Sequence, residues 1–443
     1  MSDNKAANNR CAELFLNNYY YEKFKTGDPY CSLELIFTPQ CNLKCSYCYL
    51  WKNEQQLFSN CRAETKQILH NLELVLQWME KNQFHPDLDI FSGEFLAQSL
   101  GYEALELIYQ YQSRWPAELR SSSILIPTNM TFVCNDDLIK KVDTYIEKFN
   151  DIGIKLFLSA SVDGKFIESN RRYDASLDIP IEVERDDAYY EKLFNYCVQR
   201  RIRFHPMIYS KHIGKWKDNY LWFKENLIKR GLSPFDFYLL EVRNEEWTKK
   251  DIIEFQSFLE FLYQEAWEYC EHDVQKFVSH LLSYETNLNI LGHSLYHQSN
   301  RYSCSLQRAL CIRLDDLAVP PCHRTGYEYL LYGRYQPDEQ EVLRFESSKV
   351  ELMSTLHGMG TASLPYCTEC PINELCIGQC IGAMHESNKN LFTPIPSVCA
   401  LEHAKTMTLV ACLVKYNAFD AMMQQLSPVK RFQLEKLKEI VQC

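Results

Sequence analysis

Short apolar runs alternate with longer amphipathic stretches between residues 33 and 272. The first run, LELIFT at 33–38, is typical of a buried strand, and residues 63–82 then space their apolar side chains with the period of a one-faced helix. The same pair of patterns recurs five more times. The strands are predicted at 87–91, 123–127, 154–162, 203–209 and 235–243, and the helices at 102–112, 137–149, 188–199, 217–229 and 251–269. Six strand-then-helix units predict an α/β fold whose parallel strands form an open or incomplete barrel, a partial (β/α)6 arrangement with its active site at the carboxyl ends of the strands.

The pattern changes at about residue 300. Short segments punctuated by Gly, Pro and Cys continue to about residue 400, and residues 402–423 are helical again. This texture indicates a small domain held by metal sites more than by a large core. We therefore expect an N-terminal extension at 1–30, a barrel at 31–272, a linker at 273–300, a cysteine-rich domain at 301–400 and a helical segment at 401–443.

The charge and the apolar content limit the possible classes of function. The chain has 443 residues, 46% of them hydrophobic, and a formal net charge of −11 with no basic run. Clustered Lys and Arg are needed to bind nucleic-acid phosphates, so no nucleic-acid partner is expected. The amino terminus lacks the apolar core of an export signal, and the apolar run at 407–414 stops at Lys415, short of the ~20 residues that span a bilayer. We expect a cytoplasmic protein with no membrane partner.

The cysteines carry the strongest chemical signal. The chain has nineteen, and a long chain without an export signal favours metal ligands over a disulfide framework. Three of them form the run Cys41, Cys45 and Cys48, and eight more lie between Cys304 and Cys399. The other eight are scattered and are expected to be small buried apolar residues.

The first cysteine run, C-x3-C-x2-C, supplies three thiolates and no fourth. A structural zinc site requires four ligands, whereas a four-iron four-sulfur cluster with three thiolates keeps one iron open. This run, with Tyr47 directly before Cys48, resembles the signature of the radical S-adenosylmethionine (SAM) superfamily. The resemblance implies that the open iron binds SAM and that a 5'-deoxyadenosyl radical abstracts hydrogen from a substrate.

Loops after the next three strands also resemble that superfamily. SGEF after the second strand implies that Gly93 and Glu94 hold the methionine amino group, although Ser92 replaces the usual first glycine. PTNM after the third strand resembles the family's TNG turn, which implies a cofactor contact at Asn129, and again its glycine is missing. The SVDG loop after the fourth strand, with two arginines beyond it, implies carboxylate contacts from Ser161 and from Arg172, with Arg171 as the alternative.

The second set of cysteines resembles the SPASM extension of radical SAM enzymes, which carries two auxiliary four-iron four-sulfur clusters. The resemblance assigns one cluster to Cys304, Cys311, Cys322 and Cys380, and the other to Cys367, Cys370, Cys376 and Cys399. The glycine usual five residues before Cys322 is Leu317 here. A pair of structural zinc sites is the alternative, since C-x2-C pairs also build zinc ribbons.

Enzymes with this plan mostly modify peptides, so the resemblance implies a maturase that cross-links a ribosomally made precursor peptide through a carbon–carbon, ether or thioether bond. A cyclophane or darobactin type would suit the chain. The expected partners are the precursor and an electron donor such as flavodoxin or ferredoxin. An anaerobic sulfatase-maturing enzyme is one alternative, but His323 stands where those relatives keep a basic Asp. We consider two roles for His323: the catalytic base, or a hydrogen-bond partner of a cysteine sulfur that tunes a cluster potential. A non-catalytic iron–sulfur electron carrier is the other alternative.

Overall fold

The computed structural model describes residues 2–173, 177–179, 181, 185–287, 289–296, 306, 308–347, 349–360, 363–376, 378 and 380–442. The chain forms two compact units. The first unit comprises Met1–Ser161, Asn170–Ile202 and Cys304–His357, and the second comprises Val162–Ser169, Arg203–Ser303 and Gly358–Cys443. The first unit therefore draws on both the amino-terminal half and part of the cysteine-rich region. The domain bounds expected from the sequence pattern stay a prediction.

The strands follow the chain in this order: β1 (Ser32–Ile36), β2 (Leu43–Cys45), β3 (Asp87–Phe91), β4 (Ser123–Thr128), β5 (Lys155–Ala160), β6 (Arg171–Tyr173), β7 (Arg203–Phe204), β8 (Met207–Ile208), β9 (Leu240–Glu241), β10 (Ala309–Arg313), β11 (Ala318–Val319), β12 (Gly333–Pro337) and β13 (Leu343–Ser347). The main helices are Ser2–Leu16, Glu22–Thr26, Thr65–Asn82, Ser99–Arg114, Asp136–Asp151, Asp187–Arg200, Trp216–Ile228, Lys249–Tyr269, Val274–Leu282, Val350–Gly358, Ile381–Asn388, Pro396–Lys415, Phe419–Gln425 and Pro428–Gln442. Single-turn helices lie at Tyr49–Lys52, Glu54–Leu57, Tyr284–Asn287, His293–Tyr296 and Pro365–Thr368.

A parallel sheet is the centre of the first unit. It contains five strands of that unit in the order β10, β1, β3, β4, β5, and each neighbouring pair is parallel. A helix separates β1 from β3, β3 from β4 and β4 from β5, as parallel crossovers require. The predicted mixed α/β fold with a parallel sheet is confirmed.

Strand β10 was not predicted. It comes from the cysteine-rich region, yet it pairs in parallel with β1 over its whole length, from Ser32 opposite Ala309 to Ile36 opposite Arg313. Every residue of β10 is buried. Cys311, a predicted cluster ligand, therefore lies directly beside Glu34 in the central sheet.

The last two predicted strands are shorter in the structure. The segment 203–209 is divided into β7 and β8, and Pro206 lies between them. Proline has no N–H to donate to a ladder, so the strand is interrupted there. In the second unit β8 pairs in parallel with β9, and a single parallel bridge joins Phe204 to Phe237.

Two smaller sheets complete the first unit. Strands β11, β12 and β13 form an antiparallel sheet, and β2 pairs antiparallel with β6. The amino-terminal helix lies against β13, where the Ser347 N–H donates to Asn9 Oδ1 at 3.1 Å. The amino-terminal helix thus packs on the antiparallel sheet.

The helix Pro396–Lys415 belongs to the core of the second unit. In the described part of the chain it is the one helix long and apolar enough to cross a membrane, but 61% of its most apolar window is buried inside the protein. It also holds two buried charged residues, Glu402 and Lys405. These features suit a core helix.

Candidate functional site

The predicted cysteine loop follows β1 at the carboxyl end of that strand. Cys41, Cys45 and Cys48 are half-buried, and the Cys48 N–H donates to the Cys45 carbonyl at 3.0 Å. The indole N–H of Trp51 donates to the same carbonyl at 2.8 Å. Burial raises the pKa of Cys41 well above its ordinary value, and the nearby charges of Glu94, Cys45 and Cys48 raise it further. The thiols of Cys45 and Cys48 are therefore close enough to Cys41 to raise its pKa.

The loop after β3 is locked onto the loop after β1. The Gly93 N–H donates to the Thr38 carbonyl at 2.8 Å, and the Glu94 N–H donates to the Gln40 carbonyl at 2.9 Å. A Cβ on Gly93 would stand 2.1 Å from the Gln40 oxygen. Only glycine permits this close approach of two backbones.

Glu94 lies at the centre of a buried hydrogen-bond network. Its carboxylate accepts hydrogen bonds from Thr128 Oγ1 at 2.8 Å, the Asn129 N–H at 2.6 Å and the Leu96 N–H at 3.2 Å. Burial raises the pKa of Glu94 to about 7, and the hydrogen bond from Asn129 opposes that rise. The side chain of Glu94 thus binds the end of β4 to the end of β3.

Asn129 continues the network to the cysteine loop. Its Nδ2 donates to Asn42 Oδ1 at 2.8 Å and lies 3.8 Å from Cys41 Sγ, while its Oδ1 accepts from the Thr131 hydroxyl at 2.7 Å. Asn42 in turn donates to Thr131 Oγ1 at 2.8 Å. Sequence reasoning selected Asn129 but missed Asn42 and Thr131. The position of Asn42, directly after the first cysteine, was the available signal.

Arg171 is the arginine that reaches the site. It is buried opposite Cys45 in the register of β2 and β6, and its Nε and Nη2 donate to the Tyr47 hydroxyl at 3.2 and 3.0 Å. Its Nη1 donates to the Ser161 carbonyl. Arg172, the first choice from the sequence, is exposed. The structure therefore joins Arg171 with Tyr47 and Ser161.

His323 lies against a buried carboxylate in the same unit. Its Nδ1 is 3.0 Å from both carboxylate oxygens of Glu34, and its ring stacks on Phe91 with centroids 4.1 Å apart. Burial tends to raise the pKa of Glu34, but the charge of His323 and hydrogen bonds from His323 and Cys311 lower it overall. A carboxylate only accepts, so Nδ1 carries the shared proton and Nε2 is the nitrogen that can take up another. Sequence reasoning missed Glu34, because it lies within a predicted strand and nothing in the sequence distinguishes it from other strand residues.

The cysteines of the second set fall in different parts of the structure. Cys304 lies outside the described residues. Cys311 and Cys322 are buried in the first unit. Burial raises the pKa of Cys311 well above its ordinary value, and the nearby charges of Glu34 and Cys322 raise it further. The cluster predicted from these three and Cys380 draws on both units and stays a prediction.

Four further cysteines of the second set lie in the second unit together with Cys380. The helix Pro396–Lys415 carries Cys399 and, one turn later, His403, whose Nε2 is 3.4 Å from Cys370 Sγ. The Cys376 Sγ accepts the Gly378 N–H at 3.4 Å. His403 was missed from the sequence because a single His on a helix is usually a packed side chain.

The donor chemistry fits iron–sulfur clusters. Among the described residues no group of three or more His, Cys, Asp or Glu side chains is arranged to hold a metal ion. The cysteine loop after β1 nevertheless places the thiols of Cys45 and Cys48 close enough to Cys41 to raise its pKa, and thiolates are the usual ligands of such clusters.

Comparison with known proteins identifies the fold. No family model and no curated protein matches the chain by sequence. A solved structure of hexahistidine-tagged anSMEcpe with bound AdoMet has a TM-score of 0.56 at 18% identity, covering 87% of this chain and 99% of that one. The native protein with AdoMet and a Cp18Cys peptide has a TM-score of 0.51 at 17% identity, with the same coverage. Streptococcus suis SuiB with precursor peptide SuiA has a TM-score of 0.39 at 14% identity, covering 85% of this chain and 78% of that one, and is too distant to carry an argument.

The anSMEcpe structures belong to a radical SAM sulfatase maturase of the SPASM type. Their similarity extends over almost the whole of that protein. The present chain therefore shares with anSMEcpe a mixed α/β fold with a parallel sheet.

Proposed function

We propose that this protein is a radical SAM enzyme that cross-links a ribosomally made peptide. The observation that carries the proposal is a single network at the carboxyl ends of β1, β3 and β4, where Cys41, Glu94 and Asn129 are joined through hydrogen bonds and charge. Active sites of parallel α/β sheets lie at this end of the strands. In this proposal the strands and helices form an incomplete (β/α)6 barrel followed by a SPASM domain.

The residues around the cysteine loop would hold the cofactors. Cys41, Cys45 and Cys48 would bind a four-iron four-sulfur cluster. The methionine end of SAM would lie against the surrounding residues Gly93, Glu94, Asn129, Ser161, Arg171 and Tyr47. When bound, the cluster and SAM supply a radical that abstracts hydrogen from a carbon atom. Arg171 provides a fixed positive charge for a carboxylate.

The cysteines of the second set would bind two auxiliary clusters, giving three in total. Closure of a cross-link removes one more electron from the substrate radical, and clusters held by these cysteines would supply an acceptor for that electron. The protein would receive electrons from a donor such as flavodoxin or ferredoxin. The peptide precursor would be its substrate partner.

His323 would remove the proton that is lost when the substrate radical is oxidised. Glu34 fixes the imidazole through Nδ1 and leaves Nε2 to accept that proton, and Phe91 holds the ring in plane. The competing role for His323 is a hydrogen bond to a cysteine sulfur that tunes a cluster potential.

Maturation of a sulfatase is the second candidate. The observation that favours it is the fold shared with anSMEcpe, a structure of which holds a Cp18Cys peptide. His323 in place of the basic Asp of such enzymes disfavours it. A non-catalytic electron carrier would have no need for the network around Glu94.

Cofactor cleavage tests the core of the proposal. Anaerobically reconstituted protein should convert SAM to 5'-deoxyadenosine, and joint replacement of Cys41, Cys45 and Cys48 by Ala should abolish this while the iron of two clusters remains. Cys61→Ala is the matched control, because Cys61 is half-buried but belongs to neither set of clustered cysteines, and it should behave as wild type. Wild-type protein that cleaves no SAM would reject the enzyme and favour the electron carrier.

Product mass separates the two peptide reactions. A short open reading frame beside the gene would supply the candidate precursor, and a cross-link would remove two hydrogen atoms from it. Formylglycine produced from a Cys- or Ser-containing sulfatase peptide would establish the second candidate instead.

A further inference from the structure

Four charged side chains form a buried network inside the second unit. Lys405 Nζ lies 2.7 Å from Glu241 Oε1 and 2.8 Å from Glu402 Oε1, and Arg243 Nη2 lies 3.1 Å from Glu402 Oε1 and 3.7 Å from Glu241 Oε2. The side chains of Glu241, Glu402 and Lys405 are at most 2% exposed, and that of Arg243 is 14% exposed. Two positive and two negative charges make the network neutral.

The network joins the elements that carry the cysteines of this unit. Glu402 and Lys405 lie on the helix Pro396–Lys415, whose first turn holds Cys399. Arg243 follows β9, and its Nη1 donates to the Gly378 carbonyl at 3.3 Å. Gly378 is the middle residue between Cys376 and Cys380, and both cysteines are close enough to Arg243 to raise its pKa.

Stability alone gives a poor account of this network. Buried ion pairs cost several kcal/mol of desolvation per ion, and apolar residues of similar volume often serve a core as well or better. The network is also incompletely satisfied, because neither Glu241 oxygen nor Glu402 Oε2 has a hydrogen-bond partner among the described residues beyond the ion pairs. What the charges provide is a fixed orientation of the Arg243 side chain. The rigid guanidinium of Arg243, held by Glu402, points one donor at the backbone of the cysteine loop.

We propose that Arg243 is a positioning residue that fixes the loop Cys376–Cys380 relative to the helix bearing Cys399, so that these cysteines can ligate their clusters. The inference rests on the proposed function, which assigns these cysteines to auxiliary clusters. It extends that function by naming a residue outside the ligand set on which cluster loading depends. Glu402 orients Arg243, and Lys405 balances the two carboxylates.

The test uses the full chain with Cys41, Cys45 and Cys48 replaced by Ala, so that bound iron reports only the second set of cysteines. In this background Arg243→Met keeps the length of the side chain and removes its charge and donors. Arg243→Lys keeps the charge but lacks the planar guanidinium that contacts Glu402 and Gly378 at the same time. Arg203→Met is the control, because Arg203 forms a part-exposed ion pair with Asp236 at 2.9 Å in the same unit.

Iron content and the electron paramagnetic resonance spectrum of the reduced clusters are the readouts. Arg243→Met should lose at least about half of the roughly eight iron atoms of two clusters, whereas Arg203→Met should keep them all. Arg243→Lys should retain more iron than Arg243→Met and show an altered spectrum. If Arg243 acted only by packing, restoring the positive charge would give no such partial rescue. Circular dichroism of the metal-free proteins checks that each variant is folded.

Full iron and an unchanged spectrum in Arg243→Met would overturn the inference, as would equal losses in Arg243→Met and Arg203→Met. Should Arg243→Met not fold, Arg243→Lys decides: an altered spectrum supports the positioning role, and a wild-type spectrum rejects it. A background protein that binds no iron at all would instead reject the auxiliary-cluster assignment and, with it, the basis of the inference.

Discussion

At the scale of single residues, two loops have a backbone conformation usually reserved for glycine. Met130 has φ +61° and Leu317 has φ +57°, at two of the three positions where the family loops that this chain resembles carry glycine; Ser92 is the third. Both side chains are buried. The left-handed conformation costs an L-residue about 1–2 kcal/mol, whereas burial of a large apolar side chain contributes about 1.5–3 kcal/mol. Replacement of glycine by Met130 or Leu317 is therefore tolerated. A missing glycine in the sequence therefore did not mean a missing turn.

A pair of glycine substitutions tests this balance. Gln83 ends the helix Thr65–Asn82 with φ +56° and an exposed side chain, so Gln83→Gly should raise the free energy of unfolding by about 1 kcal/mol. Met130→Gly should lower it by about 1–3 kcal/mol, because the loss of buried contacts exceeds the relief of strain. Urea unfolding measures both changes. A more stable Met130→Gly would show that the backbone strain outweighs the burial.

Glu94 gives the metal-free protein a defined dependence on pH. Burial raises its pKa in the folded protein to about 7, above the ordinary value of 4.5. The folded state therefore holds the proton more tightly than the unfolded state, and its stability falls as the pH rises between these two values. Relative to Glu94→Gln, which does not titrate, wild type should lose on the order of 3 kcal/mol from pH 4 to pH 8. If the free energy of unfolding changed equally with pH in the two proteins over this range, the assignment would be contradicted.

At the scale of elements, alternation of strands and helices in the sequence was enough to predict the parallel sheet. It was not enough to find β10, because the apolar run 309–313 has no crossover helix pattern around it and its partner β1 is distant in the chain. Choice of partner depends on long-range packing, which local periodicity does not report. The two arginines after β5 show the same limit. Only the register of β6 against β2 decides that Arg171 turns inward and Arg172 outward.

The register of β6 makes a prediction about cofactor binding. Arg171→Ala removes the donors to Tyr47 and Ser161, and it should weaken SAM binding by about 10–100-fold, the effect of losing a charge-assisted hydrogen bond. Arg172→Ala, the exposed neighbour, should bind as wild type. Calorimetry with reconstituted protein gives both affinities, with iron content as the control for cluster loading. The reverse order of effects would restore Arg172 as the cofactor ligand.

At the scale of the whole molecule, the first unit is assembled from segments that are far apart in the chain. Residues 304–357 supply β10 to its sheet and the antiparallel sheet β11 to β13. A fragment of residues 1–300 would leave the apolar edge of β1 unpaired, and exposed edges of this kind favour aggregation. We expect that fragment to lack a cooperative thermal transition and to aggregate in gel filtration. A monomeric fragment that unfolds cooperatively would support the barrel at 31–272 as an independent domain.

Assembly of the first unit from distant segments brings His323 to Glu34 and Phe91, since Glu34 comes from β1, Phe91 from β3 and His323 from the cysteine-rich region.

If His323 is the base, His323→Ala with a peptide that wild type modifies should still produce 5'-deoxyadenosine, because hydrogen abstraction precedes the loss of the proton. Modified peptide should fall by about 100-fold or more, the usual contribution of a general base. Glu34→Gln should reduce product less. The neutral amide can either accept from or donate to Nδ1, so it favours the Nδ1-protonated form less strongly than the carboxylate while occupying the same space. The ratio of 5'-deoxyadenosine to modified peptide, measured by mass spectrometry, is the readout. Full product from His323→Ala would reject the base, and a shifted auxiliary-cluster potential with normal product would assign His323 to tuning the cluster.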